Sequence, residues 1–293
     1  MAAEILYGKP IAEKILEVVT TEVDKLKQHN IHPLLMTIEV GDNPASKVYL
    51  HAQQKVAERV GINCEFIQLA TAVSQTRLLK VLDHINRDMS ISGVIMHVPL
   101  PSHLNTQAAQ WHISSAKDIE GVTPANLGIM FLGGKSLLPC TAQAMAEMIK
   151  STGVELRGKE VVVVGSSNIV GKPLAVMLLN EMCTVTICHI ATSERGLLED
   201  HIRKADIVAV AVGVPQLIKG EWIKEGAIVI DAGINTVEGK LVGDVEFEEA
   251  KERASWITPV PGGVGTVTTA LLMKNTIEAV KEQYRQAEGK REG

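Results

Sequence analysis

The sequence predicts an α/β protein with parallel sheets, organised as two domains. Short runs of Val, Ile and Leu alternate along the chain with longer segments of helical periodicity. These runs are apolar almost throughout, which is typical of strands buried on both faces by covering helices, as in parallel sheets. A length of 293 residues suits two ordinary domains.

Six segments are predicted as strands, and helical patterns lie between them. The strand segments are 33–41, 92–101, 158–167, 183–189, 205–213 and 226–234. The helical segments are 12–30, 46–61, 172–182 and a closing one that begins near residue 268. A domain boundary is expected within 139–158, where a helical pattern leads into the strongest strand of the chain.

Composition argues against several classes of partner. The net charge is −5 and both signs are spread along the chain, so neither nucleic acid nor an anionic membrane is the expected partner. The four cysteines show no CxxC spacing, which predicts no metal site and no disulfide framework. No export signal or membrane span is expected, because no long uncharged apolar run occurs. A cytoplasmic protein is predicted.

A glycine-rich turn marks the predicted nucleotide-binding half. The segment VVVVGSSNIVGKPL, 161–174, reads as strand, turn and helix. Such a turn aims backbone N–H groups and a helix N-terminus at a phosphate. Gly165 and Gly171 do not complete a GxGxxG pattern, so the turn alone also fits a flavodoxin-like domain without a nucleotide. The further strands that end near glycines favour a dinucleotide site.

The next strand leaves the choice between NAD and NADP open. An acid at its end would hold the ribose of NAD, and a basic residue would meet the extra phosphate of NADP. Here the strand ends in His189 and Ile190, which favours NAD slightly. Ser166, Lys172 or Arg195 could contact a 2′-phosphate, and each also fits a solvated surface position.

The helical segment 46–61 carries a polar pair on one face. Tyr49 and Gln53 share a face because residues four apart do so on a helix. Lys55 lies about 240° around the helix from Tyr49, so those two residues cannot act together. Lys47 and Lys55 are interpreted as solvated residues.

Eight motifs together resemble a known family. They are VGDNPASKVYL, GVIMHVPLP, KDIEGVTPANLG, LPCTAQAM, VVVGSSNIVGKPL, ADIVAVAVG, VIDAGIN and TPVPGGVGTVTTALLMKNT. Their order and spacing resemble the methylenetetrahydrofolate dehydrogenase/methenyltetrahydrofolate cyclohydrolase family across essentially the whole chain.

The resemblance implies the domain plan. It predicts an N-terminal α/β folate domain, residues 1–140 plus 271–293, which takes back the C-terminal helix. A Rossmann-type NAD(P)-binding domain, residues 141–270, would lie between, with a cleft joining the two domains and a homodimer as the assembly. Family members oxidise 5,10-methylenetetrahydrofolate by hydride transfer to NADP or NAD. Many then hydrolyse the methenyl product to 10-formyltetrahydrofolate.

This sequence departs from the family at three polar positions. The family tyrosine is kept as Tyr49, but the lysine four residues later is Gln53, the supporting glutamine is His97, and the pterin-holding aspartate is Glu120. Gln53 cannot carry a proton. His97 is a competent base and Glu120 keeps a carboxylate, although each also fits a structural role.

The resemblance assigns the site residues. The predicted catalytic residues are Tyr49, Gln53, His97 and Glu120. Substrate binding is predicted for Tyr49, Gln53, Val98, Pro99, Leu100, Glu120, Pro261, Gly262, Gly263, Val264 and Gly265. Cofactor binding is predicted for Cys140, Thr141, Gly165, Ser166, Ser167, Ile169, Val170, Gly171, Ile190, Val212, Gly213, Gly233, Ile234 and Asn235. Two family prolines are also replaced, by Ala142 and Thr266.

Three functions are compatible with these residues. The favoured one is oxidation of methylenetetrahydrofolate with NAD or NADP, with weak or absent cyclohydrolase activity. A bifunctional enzyme that uses His97 as its base is the first alternative. A non-catalytic or repurposed paralogue that binds a folate or nucleotide is the second.

Overall fold

The computed structural model describes the backbone of residues 2–42 and 44–289, and the side chains of residues 2–42 and 50–285. It contains two compact units. The six-strand unit comprises Met1–Glu13 and Thr141–Thr268, and the three-strand unit comprises Lys14–Cys140 and Thr269–Gly293.

The described strands and helices follow one another in a mixed order. The strands are β1 (Glu4–Ile5), β2 (Leu34–Val40), β3 (Asn63–Leu69), β4 (Gly93–Met96), β5 (Glu160–Val164), β6 (Thr184–Cys188), β7 (Ile207–Val210), β8 (Ile228–Asp231), β9 (Asn235–Val237), β10 (Lys240–Val242) and β11 (Trp256–Ile257). The helices are α1 (Gly8–Gln28), α2 (Pro44–Val60), α3 (Gln75–Arg87), α4 (Thr106–His112), α5 (Pro124–Phe131), α6 (Cys140–Ser151), α7 (Gly171–Asn180), α8 (Ile190–Glu194), α9 (Leu198–Ile202), α10 (Phe247–Arg253) and α11 (Val264–Gly289).

The six-strand unit is built on a parallel sheet with the strand order β1-β11-β8-β7-β5-β6. The interior strand β5 is buried on both faces from Val161 to Val164, as its run of four valines predicts. Parallel strands end at the same edge, so the turns after β5, β7 and β8 lie along one side of the sheet.

The first residues of the chain belong to this unit, although the sequence placed them in the folate domain. Strand β1 pairs with β11, so that Glu4 lies opposite Trp256. The N–H of Gly8 then donates to the carbonyl of Gly262 at 2.9 Å. A Cβ at Gly8 would lie 2.2 Å from the Gly263 oxygen, so only glycine fits there. This pairing joins residues far apart in sequence, which local patterns do not reveal.

The three-strand unit has a parallel sheet with the order β3-β2-β4. One face of this sheet packs on α3 through a continuous apolar cluster that includes Ile38, Met96, Leu78, Leu82 and Ile85. Because successive residues of a strand point to opposite faces, Glu39 next to Ile38 points to the other face.

Helix α2 covers that other face. Connections between parallel strands are right-handed by the usual rule. The connection from β2 to β3 runs along the sheet in one direction, and that from β3 to β4 runs in the opposite direction. Helices α2 and α3 therefore lie on opposite faces of the sheet. The buried residues Gln53, Ala57 and Val60 form the inward stripe of α2, at the spacing expected for one helical face.

The C-terminal helix returns to the three-strand unit, as the resemblance implies. The side-chain amide of Asn275 donates to the carbonyl of Ile119 at 2.8 Å and to that of Leu138 at 3.0 Å. The amide of Gln283 donates to the carbonyl of Ser92 at 2.6 Å. Buried side-chain amides thus fasten α11 to loops of this unit.

Candidate functional site

The turn after β5 has the shape of a phosphate cradle. Gly165 has a φ of +122°, and a Cβ there would lie 2.5 Å from the Ala211 oxygen. A Cβ at Gly171 would lie 1.9 Å from the Gly165 oxygen. Both positions therefore require glycine. The spacing of these glycines is explained by the close packing of the turn against its own helix.

The middle of this turn faces solvent at the N-terminus of α7. Ser167 and Ile169 are exposed, and Ser166 and Val170 are partly exposed. The Ser167 hydroxyl accepts the N–H of Val170 at 3.1 Å, which holds the turn closed. The positive end of the α7 helix dipole fits the charge of a dinucleotide pyrophosphate.

Asp244 ties together the turns that follow β7 and β8. One of its carboxylate oxygens accepts the N–H groups of Val212 at 2.8 Å and Gly213 at 3.0 Å. The other accepts the side-chain amide of Asn235 at 2.8 Å. Three residues that the sequence assigned to the cofactor are thus fixed by one fully buried carboxylate.

Asp231, at the end of β8, supports the same region. Its carboxylate accepts the N–H of Gly233 at 2.8 Å, that of Asp244 at 3.1 Å and that of Val245 at 2.9 Å. Burial raises the pKa of Asp231 to about 6, although these backbone bonds act in the opposite direction. The carboxylate is therefore a structural brace beneath the predicted cofactor loops.

The end of β6 presents no acid to a ribose. Ile190 begins α8 and is 77% exposed, and His189 beside it is exposed. Arg195 is also exposed, whereas Lys172 is engaged with the Asn168 side-chain oxygen at 2.8 Å. The expectation of a site without the usual NAD acid or NADP base stays unchanged.

The loop that opens α11 borders a small cavity. This cavity has a volume of about 180 Å³ and is lined by Asp231–Ile234, Leu241 and Pro259–Thr266. A Cβ at Gly263 would lie 2.6 Å from the Pro259 oxygen, and Gly262 has a φ of +104°. The predicted cofactor residues Gly233 and Ile234 therefore share one concave surface with the predicted substrate residues 261–265.

In the three-strand unit, His97 and Glu39 lie side by side. The register that pairs Ile38 with Met96 makes the next residues, Glu39 and His97, neighbours on the face opposite the apolar cluster. The N–H of His97 donates to the carbonyl of Ile38 at 2.9 Å. Burial lowers the pKa of His97, and the nearby Glu39 carboxylate opposes that shift. Both side chains are buried.

Gln53 carries a buried amide on the same side of the sheet. It is only 1% exposed, and neither its oxygen nor its nitrogen has a hydrogen-bond partner within the described part of the chain. Buried amides normally have hydrogen-bond partners, so a buried amide without one is typical of a ligand-binding group. Tyr49 lies outside the residues whose side chains are described, as does Lys47.

Glu120 is partly exposed and strongly perturbed. Desolvation, reinforced by Asp118, raises the pKa of Glu120 to about 8, and a backbone hydrogen bond at Met96 acts against the shift. Asp118 itself is tied down, since its carboxylate accepts the N–H of Thr123 at 2.7 Å and the amide of Asn126 at 2.9 Å. Asp118 therefore holds the loop, and Glu120 is available to a ligand.

Five further predicted site residues divide into two that are buried and three that are exposed or partly exposed. Leu100 belongs to the apolar cluster of the three-strand unit, which favours a packing role, while Val98 and Pro99 before it are exposed. Cys140 is buried, with its thiol 3.3 Å from the Ile119 oxygen. Burial raises the pKa of Cys140, so its thiol is an inert structural group. Thr141, the residue after it, is partly exposed.

Glu39, Asp231 and Asp244 were not predicted from the sequence. Glu39 and Asp231 are single carboxylates within apolar strand segments, and Asp244 follows Gly243 in a turn. An isolated acid in an apolar segment was the sequence signal that could have identified the first two. Within the described residues, no helix is both long and apolar enough to cross a membrane, and no three metal-binding side chains are grouped.

Two family models match the chain. The catalytic domain of tetrahydrofolate dehydrogenase/cyclohydrolase matches residues 6–120, and the NAD(P)-binding domain of the same family matches residues 139–284. The bifunctional protein FolD of Moorella thermoacetica is 48% identical over 282 residues, which are 96% of this chain and 100% of that protein.

Solved structures agree with these matches. The bifunctional methylenetetrahydrofolate dehydrogenase/cyclohydrolase FolD of Campylobacter jejuni has a TM-score of 0.92 and 41% identity, over 96% of this chain and 99% of that one. The Trypanosoma brucei FolD, complexed with NADP cofactor and an inhibitor, has a TM-score of 0.92 and 38% identity, over 97% and 99% of the two chains. The predicted two-domain α/β fold and the resemblance are thus confirmed, and the chain belongs to the tetrahydrofolate dehydrogenase/cyclohydrolase family.

Proposed function

We propose that the protein oxidises 5,10-methylenetetrahydrofolate to 5,10-methenyltetrahydrofolate and hydrolyses that product weakly or not at all. Membership of the family makes the chain an NAD(P)-dependent methylenetetrahydrofolate dehydrogenase. The observation that carries the finer proposal is the buried, uncharged and unpaired amide of Gln53, at the position where the resemblance places a lysine.

Oxidation mainly requires that the protein bind and orient the folate and the dinucleotide. The N5 lone pair of the folate expels hydride from the methylene carbon, so no protein base is required and positioning supplies most of the effect. The bound dinucleotide supplies the hydride acceptor. The turn 165–171 would hold its pyrophosphate, and the loops braced by Asp244, at Val212, Gly213 and Asn235, would hold the rest.

Folate binding is proposed for the polar groups of the three-strand unit. An ionised Glu120 can accept two N–H groups from a pterin edge. The Gln53 side-chain NH₂ can donate to a folate carbonyl or a water, and its oxygen can accept from a water. Exposed Val98 and Pro99 directly follow His97 in the chain and offer an apolar surface. Substrate contact is also proposed for the loop 261–265, whose glycines let backbone approach a planar ring.

Hydrolysis needs a group that moves protons at the methenyl carbon. An amide cannot do this, because it does not titrate near neutral pH. One observation favours a second candidate function, a bifunctional enzyme, since buried His97 lies beside Glu39 and imidazole is a competent base. The M. thermoacetica and C. jejuni relatives carry bifunctional names. Loss of methenyl hydrolysis in His97→Ala would establish that alternative.

Three further properties are proposals of lower detail. We infer a preference for NAD, because the exposed Ile190 offers nothing to a 2′-phosphate. A homodimer and a cytoplasmic location follow from the resemblance and from the composition.

The test compares Gln53→Lys with Gln53→Met. Wild type is expected to reduce a dinucleotide with methylenetetrahydrofolate and to leave methenyltetrahydrofolate decaying at the buffer rate. Gln53→Lys is expected to accelerate that decay by about 100-fold, the lower end of general acid–base effects, whereas the isosteric Gln53→Met is not. Enzyme-dependent decay in wild type at the level of Gln53→Lys would refute the proposal, and ligand-induced stabilisation without any turnover would favour a binding protein.

A further inference from the structure

Glu120, which is proposed to bind the pterin, lies in a turn outside the helices and strands, shortly before α5 begins at Pro124. A carboxylate that recognises a ligand binds best when its neighbours hold it in place, because a mobile group loses conformational entropy on binding. The main chain on each side of Glu120 therefore decides how well this carboxylate can bind a folate.

The residue before Glu120 is held by a side chain of the C-terminal helix. Asn275 of α11 is 4% exposed, and its side-chain NH₂ group donates to the carbonyl of Ile119 at 2.8 Å. The same group donates to the carbonyl of Leu138 at 3.0 Å and lies 3.2 Å from the Sγ atom of Cys140. Because an amide nitrogen carries two hydrogens, it can satisfy both carbonyls at once. One side chain thus joins the Glu120 turn to the segment that leads into α6.

The residue after Glu120 packs against one of the same partners. Gly121 has a φ of +69°, and a Cβ there would lie 2.3 Å from the carbonyl carbon of Leu138. Only glycine fits this contact. Glu120 therefore lies between two residues that are both fixed relative to Leu138, since Ile119 is joined to Leu138 through Asn275 and Gly121 touches Leu138 directly.

We propose that Asn275 is a positioning residue for folate binding, whose amide fixes the main chain on both sides of Glu120 and so holds the Glu120 carboxylate ready for a pterin edge. This inference rests on the proposed function. The resemblance assigns no role to Asn275, which acts through Glu120 and not on the folate itself. An apolar side chain at position 275 would leave the buried carbonyls of Ile119 and Leu138 without this donor, so the turn would lose its fixed geometry.

The experiment measures binding of tetrahydrofolate, without a dinucleotide, in a double-mutant cycle of Asn275→Leu and Glu120→Ala. The pKa of Glu120 is raised to about 8, so the titration is made at pH 8, where the ionised form is well populated. Asn275→Leu keeps the branched shape and removes the donors. It is expected to weaken binding about tenfold, the loss of one hydrogen bond to a charged group. In Glu120→Ala the same substitution is expected to change the affinity by less than about twofold, because no carboxylate is left to position.

Gln283→Leu is the matched control on the same helix. Gln283 is also buried, and its side-chain amide donates to the carbonyls of Ser92 at 2.6 Å and Ala116 at 3.2 Å. Its loss is expected to lower the urea midpoint of unfolding as the loss of Asn275 does, and to leave the tetrahydrofolate affinity of the folded protein within about twofold. The control therefore separates weakened attachment of α11 from misplacement of Glu120.

Three outcomes would overturn the inference: an equal loss from Asn275→Leu with and without Glu120, unchanged binding in Glu120→Ala alone, or a loss in Gln283→Leu as large as that in Asn275→Leu. If Asn275→Leu does not fold, Asn275→Ser, which keeps one donor, is taken through the same cycle and judged by the same criteria. Failure of the proposed function is recognised separately, because it consists of wild type reducing neither dinucleotide, whereas these affinities are measured without turnover.

Discussion

The two candidate binding regions differ in whether their buried polar side chains have hydrogen-bond partners. In the six-strand unit, all four carboxylate oxygens of Asp231 and Asp244 accept hydrogen bonds, and three of the four accept them from residues that are proposed to hold the dinucleotide. In the three-strand unit, both polar atoms of buried Gln53 lack a partner among the described residues. The proposed cofactor loops are fixed without a ligand, whereas the proposed folate region contains an amide that is unpaired among the described residues, at a cost of about 1–3 kcal/mol.

The difference coincides with the departures from the family that the resemblance implies. The braced loops follow the family motifs, and the chain keeps the glycines that their geometry requires. The departures Gln53, His97 and Glu120 all lie in the unit with unsatisfied or perturbed groups. The proposed function therefore places a change of chemistry on the substrate side and keeps the cofactor side.

The largest effect is expected from Gly171→Ala in the braced region. The added methyl group would lie 1.9 Å from the Gly165 oxygen, so the turn must open. Overpacking of this kind costs about 1–3 kcal/mol. Because the opened turn must close again to hold the dinucleotide, its affinity should fall by about 5- to 150-fold, measured by titration. Gly128→Ala is the control, since a Cβ meets nothing there within 4 Å. Normal affinity in Gly171→Ala would show that the turn does not form the cradle.

A smaller effect is expected from Asp244→Asn. One atom of an asparagine amide is a donor, and each Asp244 oxygen now accepts from a donor, so either orientation creates a donor clash. The free energy of unfolding should fall by about 2–4 kcal/mol in urea titrations, and the KM for the dinucleotide should rise. Exposed Asp200→Asn should change stability by less than about 0.5 kcal/mol. An unchanged KM would mean that the braced loops do not bind the cofactor.

The pH dependence of folate binding tests the role of Glu120 in the three-strand unit. The pKa of Glu120 is raised to about 8, so the acid is protonated at neutral pH, and a pterin with two N–H donors selects the ionised form. Affinity for tetrahydrofolate should therefore rise about tenfold per pH unit up to pH 8 and then level off. Glu120→Gln should bind with little pH dependence, whereas the exposed Glu65→Gln should behave as wild type.

Stability must change with pH in the opposite sense. A group whose pKa is higher in the folded protein favours folding at low pH, and this contribution is lost as the pH rises through the folded value of about 8. Wild type should therefore lose stability relative to Glu120→Gln between pH 5 and pH 8, by less than about 1.4 kcal/mol per unit because the group is partly exposed. Parallel curves for the two proteins would exclude a perturbed Glu120.

Strands that carry a run of Val, Ile or Leu were predictable from local sequence, whereas β1 and β3 were not. Strand β5, Glu160–Val164, lies inside the predicted segment 158–167, because a valine run signals burial on both faces. Strand β3 was missed because it is an edge strand with exposed and partly buried residues interspersed along NCEFIQL. Strand β1 has two residues and is defined by its pairing with β11.

The candidate site shows the same division between local and long-range information. The glycine turn was predictable, since Gly165 and Gly171 meet within one short segment. The brace by Asp244 joins Val212 and Asn235 across sequence separations of 32 and 9 residues, so only the fold reveals it. Likewise, the position of Glu39 beside His97 follows only from the register of β2 with β4.

The central claim is tested most directly by one assay of the wild-type protein. Methylenetetrahydrofolate is supplied with NAD and, separately, with NADP, and the reduced dinucleotide and methenyltetrahydrofolate are followed together. We expect the two products to accumulate in step, with the methenyl compound then decaying at the rate of buffer alone at every enzyme concentration. Formation of reduced dinucleotide without accumulation of the methenyl compound, or decay that scales with enzyme, would contradict the account.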